Sequence, residues 1–250
     1  MCLIALAWQV HPQHVLIVAA NRDEWRAREA EPAHFWPDHP ELLAGRDLQA
    51  GGTWMGVTRG GRFAAVTNFR DPSDVRSTAR SRGALVTDFL LSAESARAFL
   101  ERLAPHAAEF NGFNLILGDG SSLFYFGTSQ DEVRAVEPGV HALSNHVLDE
   151  PWPKVERARA AMRAALLGDD VESPLFAMLS DASPAPDTEL PDTGVGLEWE
   201  RRLSPPLITG SDYGTRVSTV LVMGRGGRAR FEERTRDSEG RVTDTRRLEV

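Results

Sequence analysis

Residues 1–24, MCLIALAWQVHPQHVLIVAANRDE, contain two runs of branched and apolar residues, 3–10 and 15–20, on either side of the turn-forming segment HPQH. Short apolar runs bounded by turn residues read as the two strands of a β-hairpin. Side chains alternate across a strand, so Ile4, Leu6, Trp8 and Val10 share one face and Leu3, Ala5 and Ala7 the other. Both faces are apolar, which requires a sheet covered on both sides. A turn centred between Pro12 and Gln13 makes the numbers of cross-strand partners sum to about 25, which sets Cys2 opposite Asp23 to within about one residue. Cys2 is also the only cysteine in the chain.

Two roles are open to Cys2. It can be a small buried hydrophobe that begins a core strand, as free cysteines commonly are. It can also be a nucleophile. Removal of Met1, which cells carry out when the second residue is small, leaves an α-amine on the same residue as the thiol. With an ordinary pKa of about 7.7–8.0, that amine can take up the thiol proton, so nucleophile and base are one residue. Asp23 belongs to the tetrad NRDE at 21–24, in which Asn21 and Asp23 share one face of the strand and Arg22 and Glu24 the other. The aspartate either orients the ammonium, as the third member of a catalytic triad does, or forms a structural ion pair with Arg22, Arg26 or Arg28.

The remainder of the chain alternates strands and helices. TWMGVTRGGRFAAVTNF (53–69) reads as a hairpin turning at Gly60 and Gly61, with its return strand ending near Asn68. Residues 83–104 carry apolar positions at helical spacing and read as two helices broken near Ser92. FNLILGDGSSLFYFG (113–127) reads as two strands, and residues 133–145 as a further strand pair. Helices are expected in 151–167, after the prolines, and around 174–179, with a long polar loop over 181–196. Three strands, near 215–223, 228–233 and 241–248, end the chain. Neither a repeat nor a linker interrupts this order, so residues 1–250 are expected to form one α+β domain, two sheets face to face with helices outside.

Composition narrows the partners. At 250 residues and 42% hydrophobic the chain can bury a substantial core. The 28 Lys+Arg against 36 Asp+Glu, a formal charge of −8, argue against nucleic acid or an anionic membrane surface as the main partner. Lys154 is the only lysine, a skew read as compositional. One cysteine permits no intramolecular disulfide and suits a reducing, cytoplasmic setting. The apolar start lacks a preceding basic residue and is broken by QVHPQH, so it reads as folded protein rather than a signal peptide. No apolar run reaches the roughly 18 residues of a membrane-spanning helix.

The motifs MCLI, ANRDE (20–24), AGRDLQAGGTWMGV (44–57), VTNFRD (66–71), LSNHVLDEPWPKV (143–155) and GTRVSTVL (214–221), in this order, closely resemble the NRDE, or transport-and-Golgi-organisation, family. That family is similar to N-terminal nucleophile hydrolases, which implies a four-layer αββα sandwich. The penicillin V acylase and bile salt hydrolase group offers the nearest analogy. By motif, its nucleophile falls on Cys2, its aspartate on Asp23, its downstream asparagines on Asn68 and Asn145, and its late arginine on Arg216. The chemistry is coherent: a neutral amide such as Asn68 or Asn145 stabilises an oxyanion without a competing charge, and Arg216 can anchor Asp23 or receive a substrate carboxylate. Against these roles stand strand-end capping by the asparagines and pairing of Arg216 with Asp212. One departure matters. The acylase group separates its arginine and aspartate, whereas Arg22 and Asp23 are adjacent and point to opposite faces, so the acylase arginine's role does not transfer to Arg22, and Glu24 is its expected partner. Asn21, Arg22, Trp54 and Phe69 are the candidate substrate-binding residues, with Trp36 a further apolar candidate.

The expected function is hydrolysis of a small linear amide or thioester through an acyl-enzyme on Cys2, needing no metal or cofactor. Because the resemblance also implies haem trafficking and lipid or acyl-coenzyme A handling, the alternative is a non-catalytic haem or acyl-lipid carrier. An axial haem ligand would come from Cys2 or the seven histidines, of which His141 and His146 flank Asn145. Glutamine amidotransferase chemistry ranks last: FNGFN (110–114) is only faintly similar to that group's asparagine-glycine pair, and Leu3 replaces the glycine after its cysteine.

Overall fold

In a computed structural model, which describes residues 2–250 apart from the side chain of Asp74, the opening hairpin is β1 (Cys2–Trp8) and β2 (His14–Trp25). Then come β3 (Ala30–Trp36), β4 (His39–Asp47), β5 (Met55–Thr58), β6 (Phe63–Asn68) and the helices α1 (Arg82–Leu91) and α2 (Ala96–Leu103). The middle of the chain gives β7 (Phe113–Gly118), β8 (Leu123–Gly127), β9 (Glu132–Ala135), β10 (Gly139–Leu143), α3 (Pro153–Ala165), α4 (Glu172–Leu179) and α5 (Leu197–Leu203). The chain closes with β11 (Tyr213–Gly224), β12 (Ala229–Arg236) and β13 (Val242–Glu249). Among the described residues the strands form two sheets with every ladder antiparallel, ordered β10-β1-β2-β11-β12-β13 and β3-β4-β5-β6-β7-β8-β9.

Three apolar layers explain why strands apolar on both faces were needed. Between the sheets, Ile4, Leu6, Val18 and Leu221 meet Leu43, Val57 and Ile116. The other face of β1 and β2, with Leu3, Ala5 and Ile17, packs under Val155 and Met162 of α3 and Leu175 of α4. Outside the second sheet, Ala64 and Leu115 are covered by Phe89 of α1 and by Phe99 and Leu100 of α2. The result is the expected αββα sandwich. Truncating a fully buried residue of the middle layer such as Leu6 or Ile116 to Ala costs about 2–5 kcal/mol, the transfer free energy plus the cavity left behind.

Two local expectations are corrected. The β1–β2 register is Cys2↔Arg22, Leu3↔Asn21 and Trp8↔Leu16, a sum of 24, so Asp23 is not opposite Cys2. The cause is the connection. Gln9, at φ 56°, still donates to Val15, and His11 Nδ1 accepts from the N–H groups of Gln13 and His14 at 3.2 Å each, so the turn centres on Pro12. The second correction concerns residues 133–145, which are not a strand pair: β9 lies at the edge of one sheet and β10 beside β1 in the other. Val136 drives this crossing by burying itself between the sheets, and Pro138 can donate no ladder hydrogen bond. The β3–β4 pair and α5 carried too weak a pattern to be anticipated.

Candidate active site

β1 and β2 deliver Cys2 and Arg22 to the wall of a cavity of about 470 Å³, also lined by Asp23, Trp54, Asn68 and Arg216. Cys2 is 6% exposed. Burial pushes its thiol up, as does the charge of Asp23, while the Arg22 guanidinium and the backbone N–H of Asp23 favour the thiolate. Met1, whose removal the nucleophile reading requires, lies outside the described residues.

The carboxylate of Asp23 is 1% exposed and accepts from Thr215 Oγ1 at 2.7 Å. Thr215 is its cross-strand partner on β11, and the same hydroxyl accepts from the N–H of Ile208 at 2.9 Å. Burial raises Asp23, and the strongest opposing influence is Lys154. That lysine, read from the sequence as compositional, is 2% exposed at the start of α3 and donates to the carbonyl of Leu203 at 3.0 Å. Burial, helped by Arg70, pulls it down to about 8 against the charges of Asp23, Cys2 and Glu200. Arg70 and Glu200 form a buried ion pair of 2.6 Å beneath it. The signal for Lys154 was its singularity together with its place between Trp152 and Val155, both buried.

The two asparagines have different tasks. Asn68, at the end of β6, lines the cavity, and among the described residues its side-chain amide has no hydrogen-bond partner. Asn145 is fully buried, and its Nδ2 donates to the Asn68 carbonyl at 3.0 Å. Its Oδ1 accepts from Ser144 Oγ at 3.2 Å, and its carbonyl from the Arg70 N–H at 2.7 Å. Asn145 therefore fixes the strand end that carries Asn68, while the Asn68 amide is available to an oxygen of a ligand.

Arg216 is the extra residue of a β-bulge, since Thr215 pairs with Asp23 and Val217 with Arg22. A bulge re-aims a side chain out of the ladder. Here Nη1 of Arg216 donates to the carbonyls of Trp25, Arg26 and Arg28, which ties down the β2–β3 connection. Asp212 instead pairs with Arg202.

Of the substrate-binding candidates, Arg22 and Trp54 line the Cys2 cavity. Arg22 Nη2 lies 3.4 Å from Asp47 and 3.7 Å from Glu24, the support expected of Glu24. Asn21 points to the helix side and donates to the carbonyls of Leu179 and Pro206 at 2.9 and 2.8 Å, away from the cavity. The Phe69 ring lies tilted against His146, with centroids 5.2 Å apart, and lines an adjoining cavity of about 1010 Å³. Trp36 is buried in the outer layer.

Glu233 of β12 also lines the Cys2 cavity and was not anticipated. It is 3% exposed and accepts from the Ala33 N–H at 2.7 Å. Burial raises it to about 7 against that hydrogen bond and the charges of Arg246 and Arg22. Its signal was parity with Phe231, which shares its face of the strand.

Both ring nitrogens of His141 are engaged, with Asp149 at 2.7 Å and the Glu137 carbonyl at 2.9 Å. His146 Nδ1 is 3.1 Å from Glu150. Among the described residues no cluster of three or more His, Cys, Asp or Glu is placed to hold a metal ion, and no helix is long and apolar enough to cross a membrane.

The family described as Transport and Golgi organisation 2 matches residues 1–238. The Transport and Golgi organization protein 2 homolog of Bos taurus is 34% identical over 94% of this chain and 93% of its own length. The homolog of Homo sapiens is 32% identical over the same shares. Among solved structures, a Caenorhabditis elegans N-acylethanolamine-hydrolyzing acid amidase ortholog aligns at a TM-score of 0.49 and 13% identity, covering 88% of this chain and 92% of that one. The match to the family and the identity to these two relatives bear out the resemblance read from the motifs: the chain belongs to the Transport and Golgi organisation 2 family.

Proposed function

We propose that this protein is an N-terminal cysteine hydrolase of linear amides or thioesters that works through an acyl-enzyme on Cys2 after Met1 is removed. The observation that supports it is a single cavity bordered by the only thiol of the chain and by the Asn68 amide that has no partner among the described residues, with the buried Asp23 carboxylate behind the thiol. A thiol raised by burial is protonated at rest and needs a base, and the freed α-amine of Cys2 is one by proximity alone.

In this reading the α-amine takes the thiol proton, with Asp23 orienting the ammonium. Sγ forms a bond to the carbonyl carbon, and the resulting oxyanion is held by Asn68. The C–N or C–S bond then breaks, and the ammonium returns its proton to the leaving amine or thiolate. Water, deprotonated by the same amine, attacks the thioester; the sulfur leaves and regains the proton, and a carboxylic acid is released.

The test compares wild type with Cys2→Ala against a panel of acyl amides and acyl thioesters, with intact mass measured before and after substrate. Turnover confined to wild type, a starting mass lacking one methionine and an acyl adduct on Cys2 are expected. Haem is titrated in parallel. Undiminished haem binding by Cys2→Ala, with no turnover in either protein, would overturn both hydrolysis and a haem site resting on Cys2 alone.

A further inference from the structure

We propose that Arg82 is an anion-binding residue of the Cys2 cavity, so that the substrate carries a carboxylate or phosphate alongside its scissile amide or thioester. The scissile bond rests on the hydrolase reading above; the anion site does not.

Among the described residues, seven arginines line the cavity wall. Arg22 and Arg28 share Asp47, at 3.4 and 2.5 Å. Arg46 is paired with Asp38 and Arg80 with Glu109, each at 2.9 Å. Arg76 is held across both ends of its fork, by the carbonyls of Ala108 and Phe110. Arg82 is different. It is half-buried at the first position of α1, and Nη1 donates to the Gly112 carbonyl at 3.0 Å. Among the described residues no carboxylate lies within ion-pair distance of it. Arg216 meets only backbone carbonyls there.

Arg82 borders both the Cys2 cavity and the adjoining larger one, where it shares the wall with Asn68. Burial pulls the guanidinium down, opposed by the Cys2 sulfur in its thiolate form and by the Glu24 carboxylate. A guanidinium stays charged in proteins, and holding it half-desolvated with no carboxylate at ion-pair distance is unfavourable until an anion arrives, the more distant Glu24 charge offsetting only part of that cost. Its planar fork matches the two oxygens of a carboxylate or phosphate. The Gly112 contact fixes one end of the fork while further N–H groups remain to donate.

The test measures binding by calorimetry to the Cys2→Ala chain, which does not turn over. N-octanoylglycine is compared with neutral N-octanoylglycinamide, and N-octanoylphosphoethanolamine with neutral N-octanoylethanolamine. We expect at least one anionic member to bind roughly 10-fold to 100-fold tighter than its neutral partner. Which pair shows the larger ratio distinguishes carboxylate from phosphate. Arg82→Gln should abolish the preference and Arg82→Lys should keep part of it, each variant being checked by thermal melt. Equal affinities within both pairs, no binding by either anionic probe, or a preference that survives Arg82→Gln in a folded protein overturns the assignment. Turnover by the chain with Cys2 intact is measured separately. An anion preference without turnover leaves Arg82 assigned and removes the hydrolase reading.

Discussion

Cys2 stands directly opposite Arg22 in the β1–β2 ladder, and both side chains border the cavity. Asp23, one residue on, turns its carboxylate to the other side of the sheet and reaches the sulfur through its backbone N–H. The thiol thus has a cation beside it and a carboxylate behind it. The Arg22 charge favours the thiolate, so Arg22→Met should raise the pH midpoint of Cys2 alkylation, by up to about one unit. Asp23→Asn should lower that midpoint while abolishing turnover. The rate of iodoacetamide modification against pH reads both effects, and a midpoint unmoved in Arg22→Met contradicts this account.

The contact of Asn145 with the Asn68 carbonyl separates two residues that sequence motifs alone make equivalent. Asn68→Ala should lower kcat by about 10²–10³, the usual cost of one oxyanion donor, with thermal stability nearly unchanged. Asn145→Ala takes the Nδ2 donor from the Asn68 carbonyl inside the core, while the Ser144 hydroxyl keeps the Cys2 carbonyl as acceptor, a cost of about 1–3 kcal/mol that should appear as a drop of several degrees in Tm. Finding the two variants alike in kcat and Tm would return both asparagines to one role.

Lys154 gives a prediction with a definite sign. Its folded pKa of about 8 lies below the ordinary 10.5, so between these values the unfolded chain binds more protons than the native one. Stability from this group is therefore gained as pH rises from about 8 to 10.5, on the order of 3 kcal/mol in all. Lys154→Met should remove that rise in denaturant-unfolding free energies. It should also deprive Asp23 of its strongest ionising influence and move the acid limb of kcat/KM to higher pH. An acid limb that stays in place would confine Lys154 to packing.

Much of this was legible because hydrophobic pattern is a local property with global consequences. Leu3, Ala5 and Ala7 opposite Ile4, Leu6 and Trp8 required cover on both faces, and α3 and the second sheet provide it. Register was less legible because it depends on how His11 and Gln9 close the turn, which no periodicity reports. Its consequence was large: a shift of one residue exchanged Asp23 for Arg22 beside the nucleophile. Lys154 and Glu233 do not stand out in the sequence for a related reason. A charged residue in a helix or strand is ordinarily solvated, and only the chain that packs over it, Leu203 above Lys154 and Ala33 beside Glu233, makes it a buried titrating group.

Glu233 leads to a pH dependence opposite to that of most carboxylates. Its pKa, about 7 in the folded protein, lies above the ordinary 4.5, because burial outweighs the Ala33 N–H and the charges of Arg246 and Arg22, with Asp244 adding to the rise. Between pH 4.5 and 7 the native chain holds a proton that the unfolded chain has released, so stability from this group falls as pH rises and levels off above 7. The loss is on the order of 3 kcal/mol. Glu233→Gln keeps an oxygen for the Ala33 N–H and removes the titration. The variant should match wild type near pH 4.5, separate from it through the window and be more stable at pH 8, as read from urea unfolding at each pH. Parallel curves for the two proteins would mean that Glu233 ionises normally despite its burial.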